Sequence, residues 1–294
     1  MLRINSFLAV LSFSALQLAG QPQFELSRNV YRVPYSNGIT VTVNNDHYTH
    51  DPLGRYDLKG SGFGGSCGVA YPIVAAAEGI IRRIVDNNNV HGPDCSSNCT
   101  QYNNYVWIEH ANGEWTKYSH MKYQSTTIDA GLSVGDQVCA GTFLGYECDI
   151  GQATGPHLHF EVRHPNDTAN VQISTSGGFM SDADHRIPVI NTISKHYLSD
   201  GDSWTASGST ACTSTDIALI LATTISNNGI RAYMASGTIT TFAGIGFTFQ
   251  NGSNGLFQAG GSVTLSPGFT ASAGSYFEAK IGSCATTNMV GACN

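Results

Sequence analysis

Charge is scarce in this chain. Only 14 lysines and arginines and 21 aspartates and glutamates occur in 294 residues, and neither sign gathers into a block. Recognition of a nucleic-acid backbone needs clustered Lys and Arg, so no nucleic-acid partner is expected. Beyond the first twenty residues, no apolar stretch is long enough to cross a bilayer as a helix. No segment sustains a 3.6-residue apolar period, which argues against a helical fold. The G-x-S-x-G nucleophile elbow is missing as well, and with it the serine-hydrolase arrangement.

Glycine is abundant instead, at 33 residues, and that many tight turns point to β structure. Hydrophobic residues make up 41% of the chain, enough to bury a core, and the length suggests two domains. The N-terminus reads as an export signal over residues 1–20. MLR supplies positive charge, FLAVLSFSAL is an apolar run of about ten, and LAGQ offers a small-residue cleavage site near Ala19 or Gly20. Export makes disulfides the expected state of the eight cysteines. Cys95 and Cys99 are close enough in GPDCSSNCTQ to pair locally. Cys139 and Cys148 flank AGTFLGYE and are candidates to bridge neighbouring strands. Cys212 and Cys284 bracket the C-terminal region, and Cys67 and Cys293 are left over. The connectivity stays open.

The texture changes near residue 200. Before it, short alternating segments are separated by polar turns. YVWIEH and EWTKYSH alternate around ANG and form a hairpin in sequence terms. PIVAAA, GIIRRIV and SVGDQVCAGTFLGYE continue the pattern. The expected fold is therefore mainly β: an antiparallel sheet domain over 21–195, a linker over 196–211 and a C-terminal module over 212–294. In that module charge nearly vanishes. TITTFAGIGFTFQNGSNGLFQAGGSVTLSPGFTASAGSYFEAKI is a series of short apolar pieces cut by glycine, the rhythm of a small stacked β-solenoid. STDIALILATTISN reads either as a short helix or as a buried strand.

One stretch carries chemistry. In GPHLHFEV, side chains two apart on a strand share a face. His157, His159 and Glu161 therefore form one row, and Leu158, Phe160 and Val162 face the core. Two imidazoles on one face are a partial metal site. A catalytic zinc needs three protein ligands and one open position. NNDHYTHDPLGRYDLKG supplies His47, His50 and Asp57, and YSHM places His120 at the end of a strand suited to lie beside HLH. A loop histidine, Asp57 and one HLH histidine complete three ligands, leaving two histidines for proton transfer.

This set of a His and an Asp, then SHM, then GPHLHFEV, resembles the lysostaphin-type, LytM-like zinc metallopeptidases, which are peptidoglycan endopeptidases on an antiparallel sheet. The resemblance runs over roughly residues 35–190, including VAAAEGII and GDQVCAGTFLG. It implies one zinc per chain, held by His50, Asp57 and His159, with His120 and His157 catalytic, and peptide bonds of peptidoglycan cross-links or bridges cut by a zinc-activated water. The spacer is where this sequence departs from the family: six residues separate His50 from Asp57 and nine separate His47 from it, more than in many relatives. His50 is the better fit, with His47 as the alternative. Glu161 stays outside the site, read either as a partner that orients an imidazole or as a solvated strand-end acid. His110 is read as a surface residue, and His91, His164, His185 and His196 as solvated loop residues. The C-terminal module resembles β-repeat modules that close secreted Bacteroidetes-type proteins, and reads as a spacer or attachment piece. Two other functions stay open: a secreted peptidase of glycine-rich proteins outside the wall, and an inactive wall-binding or activating relative. The resemblance implies a secreted or cell-envelope protein with no membrane span once its signal is removed. The oligomeric state is left open.

Overall fold

The computed structural model describes residues 2–4, 24–61, 67, 71–208, 216–226 and 229–281. They form strands β1 (Leu2–Ile4), β2 (Glu25–Tyr31), β3 (Thr40–Asn45), β4 (Tyr56–Gly60), β5 (Pro72–Val74), β6 (Gly79–Val85), β7 (Tyr105–Glu109), β8 (Trp115–Ser119), β9 (Gln137–Val138), β10 (Phe143–Tyr146), β11 (Leu158–Pro165), β12 (Ala183–Ile190) and β13 (Ser203–Thr205). Nine more strands follow, β14 to β22. Among the described residues no α-helix occurs, and no helix is long and apolar enough to cross a membrane. The expected signal over 1–20 lies outside the described residues except for β1. So do Cys212, Cys284 and Cys293.

The chain divides into two compact units. One holds the described residues of 27–192 and 198–208, and the other those of 2–26, 193–197 and 216–281. The first unit is built on an antiparallel sheet ordered β13-β3-β4-β11-β8-β7-β6-β9, with β12 joining β11 to β2. The segment read as a linker contributes β13, which pairs with β3.

The register explains the placement of side chains. β11 lies between β4 and β8, so Phe160 stands opposite both Tyr56 and Tyr118, and Tyr118 stands opposite Val106 of β7. All four are fully buried and form one core row. The alternate positions form rows on the other face. Asp57, His159, Ser119 and Tyr105 are neighbours across four strands, and beside them run Glu161, Lys117 and Trp107. The second face is therefore polar near β4 and β11 and aromatic toward β7.

That face is covered as well. Trp107 donates its indole N–H to Gly178 O at 2.8 Å, and Met180 packs with Tyr105, Trp107 and Trp115. The cover fits because Gly177 and Gly178 both have left-handed backbones, at φ +72° and +65°, and a Cβ on Gly178 would overlap the Tyr105 ring. No other residue meets both demands without strain.

The second unit is a three-sided coil. Its strands are β14 (Ile217–Leu219), β15 (Thr223–Ile225), β16 (Ile230–Ala235), β17 (Thr238–Thr241), β18 (Phe247–Phe249), β19 (Asn254–Ala259), β20 (Ser262–Leu265), β21 (Phe269–Ala271) and β22 (Tyr276–Ile281). They stack as three parallel sheets, β14-β17-β20, β15-β18-β21 and β16-β19-β22. β1 pairs antiparallel with β20. Ile217, Ile239 and Val263 fall in register, as do Phe247 and Phe269. Phe247, Phe249 and Phe257 fill the interior with Ile225, Ile239 and Val263. Each rung is too short to bury its own apolar face, so stacking supplies the core. STDIALILATTISN, left open between helix and strand, contributes two short strands, β14 and β15.

Candidate metal centre

The row at the end of β4 and β11 brings the histidines together. Asp57 Oδ1 lies 3.3 Å from His50 Nε2, 3.3 Å from His159 Nδ1 and 3.5 Å from His157 Nε2. The His120 ring is 4.7 Å from that of His157 and 5.8 Å from that of His159. All five line one cleft of about 260 Å³, with Arg55, Lys117 and Phe179 among the other walls.

Each imidazole is held by one nitrogen. His50 Nδ1 faces Pro52 O at 2.9 Å, His157 Nδ1 faces Gly155 O at 2.8 Å, and His120 Nδ1 faces Ile150 O at 2.8 Å. His159 uses Nε2 instead, 3.0 Å from Glu161 Oε1. Carbonyl and carboxylate oxygens only accept hydrogen bonds, so these nitrogens carry the protons. The opposite nitrogens present lone pairs. Those of His50, His157 and His159 point at a carboxylate oxygen that is buried and makes no hydrogen bond. Acceptors that face one another without a proton between them call for a cation. His50, Asp57 and His159 each offer one ligand atom, all within 4.8 Å of one another. This donor set of two imidazoles and a carboxylate suits zinc, and the cleft leaves room for a further ligand.

Protons on the imidazoles can stand where that cation would. Burial disfavours the Asp57 charge, but His157, His159 and His50, when they carry a proton toward it, outweigh burial and hold the carboxyl well below the usual carboxylate range. His120 is held well below the ordinary histidine value, by burial first and then by His157 and His159. His157 moves the other way: burial lowers it, and Asp57 more than compensates.

The backbone around these groups is constrained. His120 sits just past β8 with φ +64°, a left-handed conformation costing a non-glycine residue about 1–2 kcal/mol. His157 donates its backbone N–H to Cys148 O at 3.1 Å. Cys148 is tied by a disulfide to Cys67, with Cα atoms 4.7 Å apart. One short segment, 148–157, therefore carries His157 and the carbonyl that orients His120, and a crosslink holds its start. The candidate Cys139–Cys148 pairing is therefore not the one formed; Cys139 is disulfide-bonded too. The local Cys95–Cys99 pair is present.

His47, the alternative to His50, lies elsewhere. Its Nδ1 is 2.9 Å from the Tyr56 hydroxyl, and burial pulls its pKa down to about 4. Four other histidine readings need correction, the first being His196, which is buried. His110 is buried, bonded to Glu78 O and Thr116 Oγ1. His91 pairs with Asp149 Oδ1 at 2.5 Å. His185 stands against Arg163, 4.0 Å from Glu161. The last three seemed exposed because the sequence hid the partner of each on a distant strand or loop.

Lys117 was missed, and Glu161, left outside the site, takes the first of its two readings, against an imidazole. Glu161 is 1% exposed and not a solvated acid. Burial would raise its pKa, but Lys117, His159 and Arg55 hold it well below the carboxylate range. The available signal was alternation: Glu161 continues the His157 and His159 row, and Lys117 is the one charged residue of the WTKYS strand.

The comparisons bear on the same stretch. Residues 59–172 match the model of Peptidase family M23. This stretch is an M23-type, LytM-like domain, as GPHLHFEV and its companions led us to expect. The match begins two residues after Asp57 and includes His120, His157 and His159. The peptidoglycan DD-endopeptidase ShyC of Vibrio cholerae serotype O1 is 33% identical over 94 residues, 32% of this chain and 17% of that protein. The DD-carboxypeptidase/endopeptidase Mpg of Neisseria meningitidis serogroup B is 39% identical over 62 residues, 21% of this chain and 13% of that protein. The chain thus spans less than a fifth of either relative. The catalytic domain of the antimicrobial peptidase lysostaphin from Staphylococcus simulans aligns with 20% identity and a TM-score of 0.26, over 48% of this chain and 86% of that one.

Proposed function

We propose that this chain is an exported zinc metalloendopeptidase that hydrolyses peptide bonds in peptidoglycan cross-links or bridges. The carrying observation is the convergence of lone-pair nitrogens from His50, His157 and His159 on the buried, hydrogen-bond-free Asp57 Oδ1, in an open cleft. His50, Asp57 and His159 would hold the zinc. Zinc bound there would lower the pKa of a water and polarise the scissile carbonyl. His120, fixed through Nδ1 on Ile150 O, presents Nε2 as the base for the water's proton. His157, fixed through Nδ1 on Gly155 O, would present Nε2 from the other side and, once protonated there, would steady the developing oxyanion or pass that proton to the leaving amine. The wall substrate is favoured by the peptidoglycan relatives, and it sets the location at the envelope or outside it.

The test is digestion of purified peptidoglycan, with fragments read by mass spectrometry. New peptide ends that vanish with a chelator and return with zinc are expected. If no ends appear while a glycine-rich protein is cleaved, the substrate assignment is overturned. If zinc binds and nothing is cleaved, the enzymatic reading fails and a wall-binding role takes its place.

A further inference from the structure

The most unusual group near the cleft is a lysine. Lys117 is completely buried in the middle of β8. Its ammonium lies 4.4 Å from the centre of the Phe179 ring, with the Tyr105 and Trp107 rings at 5.6 and 5.8 Å. Besides these rings it meets Gly177 O at 3.0 Å and Glu161 Oε1 at 3.3 Å. Glu161 is its direct cross-strand partner on β11.

Stability alone is a poor reason for this pair. Two charges taken out of water lose hydration that their attraction barely restores, and well-packed apolar replacements are often neutral or stabilising. A methionine would fit among three aromatic rings. What the apolar replacement would not do is hold His159. Glu161 Oε1 accepts from both Lys117 Nζ and His159 Nε2–H, so one oxygen joins the caged ammonium to the imidazole. Its other oxygen faces Arg163 at 3.5 Å and Arg55 at 3.7 Å. The carboxylate is held from both sides and cannot turn away.

We propose that Lys117 and Glu161 are positioning residues for the metal: the caged ammonium fixes the Glu161 carboxylate on His159 Nε2, which turns His159 Nδ1 toward Asp57. This rests on the zinc reading of the site. Partners that orient a ligating histidine typically change metal affinity about 10–100-fold when removed.

The test measures zinc affinity of the full chain by competition with a chromogenic chelator, for the parent, Glu161→Gln, Lys117→Met and the double variant. The single Lys117→Met strands a buried carboxylate and risks misfolding. The double variant removes both charges and is expected to unfold near the parent temperature. Its zinc affinity is nevertheless expected to fall about 10-fold or more, and its Co²⁺ d–d spectrum to shift. A double variant that folds and binds zinc as tightly as the parent, with an unchanged Co²⁺ spectrum, overturns the positioning role and leaves the metal reading intact. A parent chain that binds no zinc overturns both.

Discussion

The two units bury polar groups in opposite ways. The sheet unit buries Glu114, Lys117, Glu147, Glu161 and Arg163, most of them in multi-partner networks. The coil unit buries no charged side chain among residues 216–281; its interior is phenylalanine, isoleucine and valine, with a few neutral polar groups. Both are β structures, so secondary structure does not demand the difference. An apolar stack is the easier way to stability, because it desolvates no charge. The sheet unit departs from it on one face, where Asp57, His159, Glu161 and Lys117 lie in adjacent cross-strand rows. There the carboxylates touch the histidines, whereas Glu114 and Glu147 accept from backbone N–H groups and tyrosine hydroxyls.

Several substitutions sharpen this contrast. Asp57→Ala should have the largest effect, since it removes the anion on which three imidazoles converge. Zinc content should fall to background and hydrolysis should cease, with a cooperative thermal transition kept. His120→Ala and His157→Ala come next. Each should retain zinc yet lower kcat by about 10²–10⁴-fold, the usual contribution of a general acid or base; metal analysis beside steady-state kinetics separates them from Asp57→Ala. Phe257→Ala acts on the other unit. It empties the centre of the aromatic stack and should destabilise the coil by about 3–5 kcal/mol, while zinc affinity stays at the parent value. A fall in zinc affinity would break the contrast.

The smallest effect is in pH dependence. His110 is buried, and burial pulls its pKa below the ordinary value. The unfolded chain therefore takes up a proton near pH 6.5 that the folded chain does not, and the unfolded state binds more protons below that point. Its contribution to stability is complete above about pH 6.5 and is lost as the pH falls below it. Urea midpoints at pH 7.5 and 5.5 should drop for the sheet unit, and drop less in His110→Gln.

Much of this was legible in the sequence where the signal was local. Alternation in GPHLHFEV placed His159 opposite the core residues Leu158 and Phe160, and YVWIEH-ANG-EWTKYSH formed the β7–β8 hairpin. Glycine-cut apolar pieces foretold stacked short strands. What stayed hidden depended on chain segments far apart. Alternation shows that Glu161 and Lys117 leave the core row, but not that Gly177, Gly178 and Phe179 cover them. The spacing before Asp57 does not separate His50 from His47; the packing of His47 against Tyr48 and Tyr56 does. The Cys67–Cys148 pairing joins residues 81 apart in the chain, and no local pattern announces it.

The most direct test of the central claim is anomalous diffraction at the zinc edge from crystals of the zinc-loaded chain. The account predicts one dominant peak, within bonding distance of His50 Nε2, Asp57 Oδ1 and His159 Nδ1. No peak there, or a dominant peak elsewhere in the chain, would contradict it.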